Sequence, residues 1–196
     1  MSYGSTRPIR IAHLADTHLG YSAFSKVHPE SGRNQRAVDI EQSFQAAVSD
    51  ILSREVDLVL HAGDVFHHTR PSWSTMTHFL VQMRRFESAG IPVVVIAGNH
   101  DTPRMRVTGS VYDFLKHALP DIRFMAGYDT DALVLAELDL VVHGVPHGAL
   151  TNPDPPMLMP DSHLRNVVMT HGVAGGALFT GGHEPGEVEI KGNILQ

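Results

Sequence analysis

Three short apolar runs, at residues 9–15, 57–62 and 91–97, alternate with two longer stretches whose apolar side chains recur at helical spacing. No other feature restricts the fold as much. Runs of this length, rich in Val, Leu and Ile, suit strands buried on both faces, which crossover helices join into a parallel sheet. Residues 36–55 supply the first helix, with Ile40, Phe44, Ala47, Val48 and Ile51 along one side. The second follows Pro71-Ser72, where Ser72 is a suitable N-cap. It sets Trp73, Met76, Leu80 and Met83 on one face, expected to be core or a subunit interface. Gly90 ends it.

After Gly109 the texture changes. Residues 111–119 read as a short helix, and 122–125, 132–138 and 140–143 as strands with short links, expected to be antiparallel. A proline-rich loop at 151–160 precedes another strand at 167–171. Residues 172–186 form a glycine-rich loop without periodicity, followed by a short strand at 187–190. With 196 residues, 42% hydrophobic and 18% charged, the chain is sized and composed for one globular domain. It has no cysteine, which excludes disulfides and thiolate metal sites. No apolar run is long enough to span a bilayer, and the first ten residues lack a secretory apolar core. The expected location is therefore the cytoplasm, with no membrane partner.

Each strand-like run ends in residues that bind metals. Asp16-Thr17-His18, Gly63-Asp64, Gly98-Asn99-His100-Asp101 and His171 follow apolar runs ending at 15, 62, 97 and 170. Ligands of open α/β sheets gather beyond the carboxyl ends of strands, so the four blocks are expected to converge. Asp16 and His18, two apart on extended backbone, can face the same side. Asp64 has two oxygens and can bridge two cations; Asn99 offers an amide oxygen and His171 an imidazole nitrogen. Such O and N donors suit manganese, magnesium, iron or zinc. Two cations about 3.5–4 Å apart can hold a hydroxide and clamp phosphate oxygens for in-line attack. His100 would stand near the leaving group as proton donor, with Asp101 orienting its ring.

The net charge of −6 gives no general attraction to nucleic acid. Yet the loops after the first three blocks carry Lys26, Arg33, Arg36, Arg70, Arg104 and Arg106, with Glu30 their only acid. A basic mouth on an acidic protein fits a polyanionic substrate. Among the remaining histidines, His13, His61 and His143 lie in strands and are expected to be hydrogen-bonded core residues. His78 and His117 lie on helices, and His147 and His163 have no assigned role.

On these residues the chain resembles the calcineurin-like metallophosphoesterases, whose pattern runs Asp-x-His, Gly-Asp, Gly-Asn-His-Asp/Glu, a later His, then Gly-His-x-His. Within them it resembles the nuclease subunit of SbcCD-type double-strand-break repair complexes. That likeness rests on His13-Leu14-Ala15-Asp16-Thr17-His18-Leu19-Gly20, Gly63-Asp64-Val65-Phe66-His67, Arg70-Pro71-Ser72 and Ala97-Gly98-Asn99-His100-Asp101-Thr102-Pro103. Arg36 and Asp39 ahead of Phe44 also fit.

The resemblance implies an α/β fold over residues 1–196: a four-layer αββα sandwich of two mixed sheets flanked by helices, incomplete at the C-terminus. It implies two divalent metal ions, manganese first, one held by Asp16 and His18, the other by Asn99 and His171, with Asp64 between them. His100 would be the catalytic histidine and His67 would lie near the scissile phosphate. It further implies a DNA exonuclease or endonuclease that dimerises and works with an SMC-like ATPase of the SbcC type. No Gly-His-x-His follows His171 in these residues, and by the resemblance the family's capping domain is expected to be missing. The pattern therefore implies a truncated chain that binds metal weakly and turns over slowly. Gly182-His183-Glu184-Pro185 is expected to be a solvated loop. Two other functions stay open: a phosphoesterase acting on a small-molecule or protein phosphate ester, and a non-catalytic fragment that binds DNA or a partner.

Overall fold

A computed structural model describes residues 7–154, 156–174 and 186–190. Four strands, β1 (Ile11–Leu14), β2 (Leu58–Ala62), β3 (Val93–Ile96) and β4 (Ile122–Met125), lie side by side in that order, all parallel. The crossovers are α1 (Gln35–Ser53), α2 (Trp73–Ser88) and α3 (Val111–Ala118). Expected antiparallel, β4 is instead parallel to β3. The eight residues of α3 suffice to carry the chain back across the sheet, so a third βαβ unit forms.

Alternation along the strands divides the core. Val59, Val93, Val95, Ile122 and Phe124 face the helices, against Phe44 and Val48 of α1, Phe79 and Phe86 of α2, and Leu115 of α3. Their neighbours Leu58, Leu60, Val94, Ile96 and Met125 face a second sheet. That sheet has β5 (Asp131–Leu135) antiparallel to β6 (Leu140–Val145), and β6 parallel to β7 (Arg165–Thr170). The strand expected over 132–138 stops early because residues 136–138 form a 3-10 turn, closed by left-handed Asp139, to bring the hairpin round. A one-turn helix, α4 (His147–Leu150), follows β6. Beyond His171, β8 (Val173–Ala174) pairs parallel with β9 (Glu189–Ile190), so a strand opens the segment expected to be all loop. Residues 182–185 lie outside the described residues.

The fold is thus α/β, two sheets flanked by helices. The first sheet is wholly parallel among the described residues, and the mixing falls in the second. The three long helices lie against the first sheet, while Val134 and Val168 on the outer face of the second stay open. No helix among the described residues is long and apolar enough to cross a membrane.

Two packing expectations need correction in part: Trp73 is not core, although Met83 of the same expected face is buried and Leu80 packs against the core, and His13 is not buried. In α2 the buried residues are Thr75, Phe79, Gln82, Met83 and Phe86, and Trp73 is 78% exposed. Two phenylalanines seven apart pull their own face inward, and Trp73, first after the Ser72 cap, swings out. His13 is exposed as well. It lies on the edge strand β1, where a cleft of about 540 Å³ separates it from Met169 of β7. His61 and His143 are buried, as expected.

Candidate metal centre

The carboxyl ends of β1, β2, β3 and β7 meet at one rim. Strand-like pairing runs on past the ends of β1 and β2: Asp16 N–H donates to Gly63 O (3.1 Å), His18 N–H to Asp64 O (3.0 Å) and Leu19 N–H to Val65 O (2.8 Å). These bonds hold a backbone that is left-handed at Asp16 (φ 55°), His18 (φ 43°) and Asp64 (φ 52°). Each such conformation costs a non-glycine residue about 1–2 kcal/mol, and three of the six such residues among the described residues lie at this rim. Thr17, between two of them, donates from Oγ1 to Val65 O (3.2 Å) and so accepts from His61 Nε2 (3.0 Å). Burial pushes His61 down to about 3, which keeps its ring neutral.

Two glycines make the approach possible. Gly63 has φ 99°, and a Cβ on it would lie 2.6 Å from His171 Nδ1. A Cβ on Gly98 would lie 2.0 Å from Asp64 Oδ1. Any larger residue at 98 would push Asp64 out of place.

Asp64 is the hub. Its Oδ1 accepts from His100 N–H (2.9 Å), and its Oδ2 lies 3.7 Å from His18 Nε2 and 3.5 Å from His171 Nε2. Ligand atoms of Asp16, His18 and Asp64 lie within 4.8 Å of one another. On the His171 side, Nε2 faces Asn99 Oδ1 at 3.0 Å while Nδ1–H donates to Ala62 O at 2.8 Å. That carbonyl fixes the ring and aims Nε2 at the donor cluster, the arrangement typical of metal-binding histidines. Burial raises the Asp64 pKa, but the hydrogen bond and charge of His171 and the His100 N–H outweigh it, and the net direction is down. Burial lowers His171, but the Asp64 bond and charge carry it up to about 9. An imidazole thus protonated donates from both nitrogens. The donor set fits divalent cations: carboxylate, amide and imidazole atoms share one carboxylate oxygen, with no thiolate.

A second cluster stands beside the first. His18, His67 and His100 form a trio, with ring centroids 5.3 Å apart for His18–His67, 4.7 Å for His18–His100 and 4.8 Å for His67–His100. The His100 ring is held by Nδ1 against His67 O (3.1 Å).

Asp101 departs from its expected role of orienting His100. It is fully buried and accepts from Val65 N–H (2.8 Å), Phe66 N–H (3.3 Å), Gly98 N–H (2.7 Å) and Tyr112 Oη–H (2.6 Å). It braces the loops after β2 and β3 onto α3. Burial pushes it up to about 6 against the pull of these donors.

The six basic residues divide. Arg33 is locked in a two-pronged pair with Glu41 (2.7 and 2.5 Å), which raises its pKa, and is taken out of the expected basic mouth. Arg106 stacks over the Tyr128 ring, 4.4 Å from its centroid, and donates to Asn152 Oδ1 (2.5 Å). Lys26 and Arg36 are exposed. Arg70 and Arg104 line a cavity of about 830 Å³ with His67, Asn99 and His100.

The lining of that cavity also includes His147, which the sequence left without a role. It sits just past β6, 7% exposed, and its N–H donates to Ala97 O (2.9 Å), the residue ahead of Gly98. Burial and then the charge of His171 lower its pKa, so the ring is neutral. Its Nδ1, like Asn99 Nδ2 and Thr170 Oγ1, is buried with no hydrogen-bond partner among the described residues. Only the contact between the sheets brings His147 here, and no local spacing in the sequence signals it.

Comparison with known proteins agrees with this geometry. The chain is 40% identical over 95 residues to the DNA double-strand break repair protein Mre11 of Haloferax volcanii, covering 48% of this chain and 20% of that protein. It is 27% identical over 139 residues to the Mre11 protein of Saccharolobus solfataricus, covering 71% of this chain and 33% of that one. The chain therefore spans at most about a third of the length of these relatives. The crystal structure of Pseudomonas putida nuclease MPE matches 84% of this chain and 63% of its own at 16% identity, with a TM-score of 0.43, too slight a likeness to carry an argument. A family model, calcineurin-like phosphoesterase, matches residues 9–190. With that match over nearly the whole chain and the donor cluster at its expected strand ends, the protein belongs to the calcineurin-like phosphoesterase family.

Proposed function

We propose that this chain is the catalytic domain of a metal-dependent DNA nuclease that uses a pair of divalent cations, manganese first among them. The observation that carries the reading is Asp64 Oδ2, which lies within 4 Å of both His18 Nε2 and His171 Nε2. Asp16, His18 and Asp64 would hold one cation, and Asp64, Asn99 and His171 the other. When bound, the cations supply Lewis-acid charge to phosphoryl oxygens and acidify water.

The protein's own groups do the rest. His100, fixed through its N–H on Asp64 and its ring on His67 O, would give a proton to the leaving oxygen. His67, beside it, would contact the scissile phosphate. Arg70 and Arg104 would draw the phosphate backbone into the cavity, helped at longer range by Lys26 and Arg36. By analogy with the repair proteins it resembles, its partners would be DNA, a second copy of itself and an SMC-like ATPase, and its setting the cytoplasm. A small phosphate ester is the second reading, favoured by the engagement of Arg33 and Arg106 within the protein.

The test is cleavage of linear duplex, single-stranded DNA and an aryl phosphodiester with added manganese. The nuclease reading expects DNA to be cut, and Asp64→Asn to abolish cutting. Hydrolysis of the aryl ester alone would favour the second reading. DNA cleavage that survives Asp64→Asn would refute the proposed site.

A further inference from the structure

His18 turns one ring nitrogen to each of two clusters. Its Nε2 lies 3.7 Å from Asp64 Oδ2, on the carboxylate side, while its Nδ1 lies 3.3 Å from His67 Nδ1. His67 and His100 complete a trio in which each ring offers one nitrogen, all within 4.8 Å of one another. On the nuclease reading the last two rings act singly, on phosphate and leaving oxygen, and their convergence on His18 has no task.

The spacing is that of a coordination sphere. Two imidazole nitrogens bonded to one tetrahedral zinc ion at about 2.0–2.1 Å stand roughly 3.3 Å apart, which matches the His18–His67 separation of 3.3 Å. The backbone sets the third ring: His100 Nδ1–H donates to His67 O (3.1 Å), which puts the lone pair on Nε2. Histidine ligands commonly bind metal through one nitrogen while the other donates to a carbonyl. Tyr21 and His68 pack edge-on against the His67 ring, with centroids 4.6 Å away in each case. All three histidines are half-buried, within reach of a cation, and His67 and His100 line the cavity of about 830 Å³.

Ligand chemistry selects the cation. Three imidazoles without a carboxylate suit zinc, whereas the set containing Asp16 and Asp64 suits manganese. The two cations also ask opposite things of His18. Zinc on Nδ1 requires the ring proton on Nε2, facing Asp64. Manganese on Nε2 requires it on Nδ1, facing His67. One neutral ring cannot satisfy both.

We propose that His18, His67 and His100 form a three-imidazole zinc site that competes with manganese for His18. Zinc bound there also occupies the two rings assigned to phosphate and leaving oxygen, so it blocks cleavage. The zinc site rests on the geometry of the trio, and its inhibitory effect rests on the nuclease reading.

The first measurement is binding, which needs no turnover. Zinc is titrated into the metal-free chain against a chromophoric chelator, and manganese is titrated by calorimetry. Wild type, His67→Ala and His100→Ala are compared, with thermal melts to check folding. Each variant should weaken zinc at least tenfold and leave manganese within threefold. X-ray absorption of the wild type holding one equivalent of zinc should show three imidazole ligands. Zinc affinity within threefold of wild type in either variant overturns the proposal. So does equal weakening of zinc and manganese, or a zinc ion with fewer than three imidazoles. Should an alanine variant fail to fold, His67→Gln and His100→Gln carry the same comparison. The inhibitory effect is read separately: one equivalent of zinc should slow manganese-dependent DNA cleavage at least tenfold, and excess manganese should restore it. Cleavage unchanged by bound zinc overturns that effect. A wild type that neither binds manganese nor cuts DNA fails the nuclease reading, while the zinc titration still decides the site.

Discussion

At the scale of single residues, two aspartates at the ends of adjacent strands do opposite work. Asp64 presents Oδ2 to His18 and His171, whereas Asp101, fully buried, spends both oxygens on four donors from the protein interior. Asp64→Asn keeps the shape and removes the charge. It should weaken manganese binding at least tenfold by calorimetry and return the His171 titration, followed by NMR, from about 9 towards 6.5. A His171 that still titrates near 9 would contradict the pairing. Asp101→Asn exchanges an acceptor for a donor facing N–H and O–H groups. An expected loss on the order of 2–3 kcal/mol, read by urea unfolding, reflects buried donors left without a partner. Both aspartates were picked from the sequence as site residues. Their difference was not legible there, because it lies in which way each side chain points.

At the scale of elements, the helices and buried strands were readable and their faces less so. The spacing marked α1 and α2 to within two residues, and Ser72 is the cap, accepting from Thr75 N–H at 3.2 Å. Met76 and Leu80 lie on one apolar stripe of α2 and Phe79 and Phe86 on another, and packing in the core chose the larger rings. Phe79→Ala should therefore cost about 3–5 kcal/mol, while Trp73→Ala should stay within about 0.5 kcal/mol in the same unfolding assay. A large cost at Trp73 would mean that its exposed face is covered in solution. The direction of β4 was misread for a related reason: a short apolar run does not record which neighbour it will pair with, or in which sense.

At the scale of the whole molecule, the Asp64–His171 ion pair joins the two sheets at the rim, and stability should follow its charge. The His171 pKa is raised from 6.5 to about 9, so the pair's contribution is whole below about pH 6.5 and is lost as pH rises through about 9. Removal is worth roughly 3 kcal/mol to the metal-free protein. Asp101, raised to about 6, changes its contribution between about pH 4 and 6, outside that window. Thermal melts from pH 6 to 10 should fall for the metal-free chain. Manganese should stabilise it increasingly over the same range, since cation and proton compete for the same nitrogen. A flat profile without metal would remove the pair from the account.

The sequence by itself determined the order of strands and helices and the residue types at each strand end, because periodicity and ligand chemistry are local properties. Only the tertiary structure decided that Asp101 faces inward, that Arg33 is spoken for by Glu41, and that His147 reaches the cavity from the second sheet. Those outcomes depend on contacts between residues far apart in the chain, and such contacts leave no mark on local spacing.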